Sequence, residues 1–155
     1  HTEDSGAVAR RLLSGERVVV AAPAYLEAHG MPETPDDLVT HRAVTWLRRE
    51  RPYTRWTLRA GDQSRTVDVD PVLCGDGASA RRWCVAGFGL AFKSRLDVAA
   101  DLRAGRLVRV LPGWSGEDVP LYALTPSRRF RTARVQALLD HLQHELRGVV
   151  GPPSA

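Results

Sequence analysis

The chain has 155 residues, a single-domain length that buries a core without help from disulfides. Hydrophobic residues make up 43% and charged residues 26%, no apolar run approaches the ~18 residues of a membrane-spanning helix, and His1-Thr2-Glu3-Asp4 lacks the pattern of a secretion signal, so the expected setting is cytoplasmic, with no membrane partner. The net charge of +4 is carried by arginine apart from Lys93; it permits weak nonspecific attraction to polyanions without marking a nucleic-acid partner.

In chain order, short apolar runs alternate with helical patterns. Val18-Val19-Val20-Ala21 reads as a buried strand, and Pro23 suits the first turn of a helix that Gly30 stops. In "ETPDDL" Thr34 is an N-cap and Pro35 a first helical residue, which predicts a second short helix. Ala43-Val44-Thr45-Trp46 reads as a strand, and residues 56–58 and 65–69 alternate with period two around Gly61-Asp62, a hairpin signal. Asp76 caps a helix running from Gly77 or Ala78 to Ala86. A short strand at 90–92, a helix at 97–103 ended by Gly105, and strands at 107–111 and 119–124 follow. Val135, Leu138, Leu139, Leu142 and Leu146 form one apolar face of a terminal helix, with Asp140, Gln143, His144 and Arg147 opposite. The pattern is α/β with a mixed sheet. Residues 151–155, "GPPSA", read as a loose tail. Residues 1–17 hold only a polar lead and an amphipathic piece at 8–13, where a doubly wound domain normally opens on a core strand, so the chain is expected to start within a longer fold.

Few motifs suggest chemistry. Gly87-Phe88-Gly89 precedes a strand instead of following one, and Phe92 stands at the third glycine position, so it reads as a turn from helix into strand and not as a dinucleotide fingerprint. Gly113-Trp114-Ser115-Gly116 is not a nucleophile elbow, because Gly116 falls one position early. His141 and His144 have no third ligand at metal spacing and read as a surface pair. Asp36-Asp37 belong to a helix start, and Asp68 and Asp70 to the outward face of one strand. Cys74 and Cys84 lack metal-ligand spacing and read as buried, unpaired thiols. "RRERPYTRW" (48–56) has the composition of a single-strand nucleic-acid surface, yet it contains Glu50 and Pro52 and lies between strands, where a solvated loop is expected. The same holds for Arg128-Arg129-Phe130-Arg131. No catalytic set, metal site or cofactor motif emerges.

Four stretches taken together carry a family resemblance: "SGAVARRLL" (5–13), "VVVAAPAYLEAHGMPETPDDLVTHRAVTW" (18–46), "CGDGASARRWCVAGFGLAFKSRLDVAADLRAGRLVRVLPGW" (74–114) and "PLYALTPSRRFRTARVQALLDHLQHEL" (120–146). They resemble the effector-binding domain of LysR-type transcriptional regulators, and Ala91-Phe92-Lys93-Ser94 with Asp97-Val98-Ala99 resembles the CrgA-like branch. The resemblance implies a fold like type-II periplasmic binding proteins, with two α/β lobes joined by crossing strands and a ligand cleft between them. Residues 18–106 would be one complete lobe, 1–17 a remnant of the other, 107–147 its closing part, and 148–155 a tail. The N-terminal helix-turn-helix, its linker helix and the first half of lobe one would be absent, making the chain a truncated piece of a longer regulator.

The resemblance further implies a non-catalytic sensor of a small metabolite, with a carboxylate or aromatic acid as the expected class. It implies homo-oligomers, and DNA contact only through the missing helix-turn-helix. Three segments would face the ligand. Val44, Thr45 and Trp46 end a strand, with a hydroxyl and an aromatic face. Gly77, Ala78 and Ser79 open a helix whose free N–H groups and dipole suit a carboxylate. Phe92 and Lys93 lie near the lobe crossing. Each has a plainer reading: Trp46 as a core aromatic, the small residues as close helix-on-sheet packing, Lys93 as a surface cation. Two alternatives share the fold class, a stand-alone solute-binding protein and a small-molecule-binding module without a DNA-binding head.

Overall fold

The computed structural model describes residues 7–126 and 131–150. In chain order the elements are β1 (Val8–Leu13), β2 (Arg17–Ala21), α1 (Pro23–His29), a 3-10 turn (Pro35–Thr40), β3 (Arg42–Arg48), β4 (Arg51–Pro52), β5 (Arg55–Ala60), β6 (Gln63–Asp68), β7 (Asp70–Gly75), α2 (Gly77–Val85), β8 (Ala91–Ser94), α3 (Arg95–Arg103), β9 (Val108–Val110), β10 (Leu121–Thr125) and α4 (Ala133–Val150). They form two compact units, 16–117 and 7–15 with 118–126 and 131–150.

β2 organises the larger unit. Three successive valines are stiff at χ1 and suit a strand buried on both faces. The strand lies between β8 and β9, antiparallel to both. Successive side chains point to opposite faces. Val19 and Ala21 therefore enter one core with Tyr25, Leu38, Trp56, Leu58 and Phe92. Val18 and Val20 enter a second with Val44, Cys84, Ala91, Val98 and Leu107. Each valine, leucine or phenylalanine among them contributes about 1.5–3 kcal/mol by leaving water.

A second sheet, β4-β3-β7, pairs β3 and β7 in parallel. Leu90 joins the two sheets: the Val44 amide donates to its carbonyl at 2.8 Å, and its own amide donates to the Arg42 carbonyl at 2.8 Å. That approach requires Gly89, where a Cβ would lie 2.6 Å from the Arg42 carbonyl oxygen. The Gly-x-Gly stretch is thus a packing turn from α2 into β8, with Gly87 at φ 82°. The hairpin read from Gly61-Asp62 is present as β5 and β6, with Trp56 and Leu58 inward and Arg55, Thr57 and Arg59 on the other face.

Two expectations are corrected in this unit and one is refined. The short helix predicted from Thr34 and Pro35 is present as a 3-10 helix over Pro35–Thr40, with Thr34 as its N-cap. Asp37 closes it by accepting from the Thr34 amide at 2.8 Å, and this bond holds its carboxyl below the usual range. Asp68 and Asp70 stand on two strands, not one, because the chain turns at buried Val69. Cys84 is buried, and burial pushes its thiol up to about 12, but Cys74 is exposed because it shares the outward parity of Val72 on β7. β9 pairs with β2 through Val19–Val110 and Ala21–Val108, so residues 107–117 pack within the 16–117 unit.

In the smaller unit β1 pairs antiparallel with β10, Val8 opposite Thr125. Arg10 reaches α4, donating to Gln136 at 3.3 Å and Gln143 at 3.0 Å and pairing with Asp140. Leu139 is buried, whereas Leu138 and Leu142, expected on the same apolar face, are exposed. The start at 1–6, the basic residues 128–130 and the tail at 151–155 lie outside the described residues.

The packing of α2 on α3 centres on one buried carboxylate. Asp101 has no exposed surface, and Arg81 grips it from α2 through Nε at 2.6 Å and Nη2 at 2.9 Å, while Arg106 Nε donates at 2.8 Å. Burial pushes the Asp101 carboxyl up, but the hydrogen bonds and charge of the two arginines outweigh it and hold the group below the ordinary aspartate value. Its stabilisation is therefore present above the unfolded pKa and is lost as pH falls through the folded one. Asp101→Asn is expected to lower stability at neutral pH by about 2–3 kcal/mol, the worth of hydrogen bonds to a charged partner. In urea denaturation the gap to wild type should narrow as pH drops below about 4.

Candidate ligand-binding face

The segments nominated in the sequence converge only in part. α2 begins at Asp76, whose Oδ1 accepts from the Ser79 amide at 2.7 Å; this bond holds the Asp76 carboxyl below the usual range. The chain's own carboxylate therefore occupies part of this helix start. Ala78 is exposed, and the Ser79 hydroxyl accepts from Arg82 at 3.2 Å.

Lys93 is not a surface cation. It is 5% exposed. Because Val18 faces it across β2 and β8, its stem lies on the side of the sheet that α2 and α3 cover. Its ammonium donates to the Gly77 carbonyl at 3.1 Å, pairs with Asp97 at 2.9 Å and stands 5.2 Å from the centre of the Trp46 ring. A Cβ at Gly77 would lie 3.2 Å from that nitrogen, a tight contact that glycine avoids. Trp46 is half-buried, so the core reading fails for it as well. It shares the parity of Val44 on β3 and reaches past the sheet toward Lys93.

The other nominated residues position this cluster from inside. Val44 and Phe92 have no exposed surface, and Phe92 packs between Trp56 at 5.3 Å and Tyr53 at 6.4 Å between ring centres. Thr45 is also fully buried, and its hydroxyl donates to the Tyr53 carbonyl at 2.7 Å, so it fixes the loop after β3. That loop is the charged stretch 48–56, for which a solvated loop is expected. Arg51 and Pro52 form β4 against Leu47 and Arg48, Trp56 is buried, and Tyr53 packs on Trp46 at 4.8 Å, which leaves no row of free aromatic faces for bases.

Sequence reasoning missed Arg17, Tyr53 and Glu117. The Arg17 guanidinium covers Trp46 at 4.8 Å and Tyr53 at 5.5 Å, and its Nε donates to Glu117 at 3.2 Å. Glu117 also accepts from Arg48 and from the Tyr53 hydroxyl, each at 3.4 Å. Partners 100 positions apart leave no local signal. Among the described residues no group of three or more His, Cys, Asp and Glu side chains is arranged to hold a metal ion, and no helix is long and apolar enough to cross a membrane.

Residues 1–147 match the family model described as the LysR substrate binding domain. The chain belongs to this family. Among its relatives are the HTH-type transcriptional regulators PtxR of Pseudomonas aeruginosa, 34% identical over 92% of this chain, and DmlR of Escherichia coli, 28% identical over 88%. The chain spans 46% and 44% of their respective lengths. Among solved structures it is similar to the regulatory domain of CrgA, a LysR-type transcriptional regulator from Neisseria meningitidis, at 27% identity and TM-score 0.75, covering 94% of this chain and 72% of that one. The regulatory domain of AphB from Vibrio vulnificus shares the fold, with TM-score 0.72 over 91% of this chain and 70% of that one. The mixed α/β architecture is thus that of LysR regulatory domains, which resemble type-II periplasmic binding proteins. The relatives are transcriptional regulators, not enzymes.

The half-exposed partner of Lys93, Asp97, stays hydrated when the ammonium is removed. Lys93→Met, which keeps the stem, is therefore expected to shift unfolding in urea by no more than about 1 kcal/mol, and a gain is as consistent as a loss. A loss above about 3 kcal/mol would mark Lys93 as a structural residue instead.

Proposed function

We propose that this chain is the effector-sensing portion of a LysR-type transcriptional regulator of a bacterial cytoplasm, binding a small metabolite without catalysis or cofactor. The observation that carries the reading is the meeting of three separate segments at one cation. The Lys93 ammonium lies against the first turn of α2 and the ring of half-buried Trp46. Such a cluster suits a small carboxylate or aromatic acid: the ring offers a flat apolar face, while the ammonium and the Gly77 amide favour negative charge. Asp76 already takes the Ser79 amide and draws on that of Ala78, so the ligand's carboxylate meets the Gly77 end of the turn.

In this reading the 16–117 unit is one lobe of the effector domain, and the smaller unit is part of the other. Effector binding favours a closed arrangement over an open one by its difference in affinity for the two, and this difference biases subunits that carry DNA-binding heads. The DNA contact would lie in a helix-turn-helix region of the longer protein, and the assembly would be a homo-oligomer that matches paired half-sites. The names of the relatives, of which this chain spans under half, support that arrangement.

Ser79→Asp in the full-length regulator tests the site. The substitution places a carboxylate in the first turn of α2, where it favours the helix by about 0.3–1 kcal/mol and so leaves folding intact. It also repels an incoming anion. The effector dose response of a reporter promoter should move to concentrations about tenfold higher or more, and an unchanged response would remove the α2 start from the site.

A further inference from the structure

We propose that the outward face of the β5–β6 hairpin holds a second anion-binding site, which adjoins the Lys93 cluster through Tyr53 and takes a compact dianion. The sequence RWTLRA alternates, so Trp56 and Leu58 fill the core while Arg55, Thr57 and Arg59 share the opposite face. On that face lies a pocket of about 360 Å³ lined by Arg48, Tyr53, Arg55, Thr57, Arg59 and Glu117. Its size is at the lower end of the range for small-ligand sites.

The charge balance sets the ligand class. Glu117 is already engaged: one of its oxygens accepts from Arg17, Arg48 and Tyr53. Arg55 and Arg59 have no ion pair among the described residues, and Asp68, opposite Arg55 in register, does not form one. Three guanidinium groups against one carboxylate leave two positive charges in excess in a concave site, where the field is focused. Arginine donates two parallel hydrogen bonds to a carboxylate or phosphate. Arg59 is also fixed at its backbone, donating to Ser115 at 2.8 Å and accepting from it at 3.0 Å. The pocket is concave and about 360 Å³, which suits a small dianion and not an extended polyanion. The shared chemistry is two negative charges on a small molecule, supplied by a dicarboxylate or by a phosphate group.

Thermal unfolding of the chain in sodium succinate and in sodium phosphate, each against sodium chloride of equal ionic strength, tests the site. A saturable rise in Tm with either anion is expected, and the anion that produces it identifies the source. The double variant Arg55→Gln/Arg59→Gln should weaken binding by about tenfold or more in titration calorimetry. Thr57→Glu, which adds a carboxylate to the pocket without touching the core, should do the same. Arg103→Gln on α3, an exposed arginine outside both sites, should leave binding unchanged. A rise that follows ionic strength alone, the absence of any rise, or binding retained by the double variant would each overturn the proposal.

Discussion

The register between β2 and β8 is the constraint on which the larger unit depends. Val19 opposite Phe92 and Val18 opposite Lys93 assign each side chain to a face. Side chains alternate, so a slip of one residue would turn Phe92 toward the helices and Lys93 into the core with Trp56 and Leu58. An ammonium there would be buried without a carboxylate, at a cost the unit has no means to offset. The register is enforced because β2 carries apolar side chains on both faces and is paired along both edges.

From that register the candidate site follows. With Lys93 on the helix side, its nitrogen lies beside the Gly77 carbonyl and Asp97. The parallel pairing of β3 with β7 brings Trp46 opposite Gly75, next to the same helix start. Gly75 itself leaves room for the Trp83 ring, which a Cβ would meet at 2.7 Å. The polar groups of this face are therefore held by strands and a capped helix instead of by loops.

Much of the architecture was legible in local signals. Three valines in succession, Gly61-Asp62 between alternating runs, and Asp76 before a helix each act through backbone chemistry that needs no distant partner. What escaped was non-local. β4 was hidden in a charged run because its pairing depends on Arg49 and Glu50 adopting positive φ, 52° and 64°, in a turn without glycine. Lys93 read as a surface residue because charge predicts exposure, and only its position opposite Val18 reveals otherwise. Arg17 and Glu117 bracket the larger unit, and nothing near either residue announces the other. The apolar spacing of α4 was correct as a helix signal but did not foretell that Leu138 and Leu142 would stay exposed. The family resemblance supplied the architecture that periodicity alone left open.

The most direct test of the register is a set of cross-strand NMR distances. The account predicts NOE contacts between the backbone protons of Val19 and Phe92 and between those of Val18 and Lys93. A set shifted by one residue, with Val19 facing Lys93, would contradict the placement of the ammonium beside α2 and the site built on it.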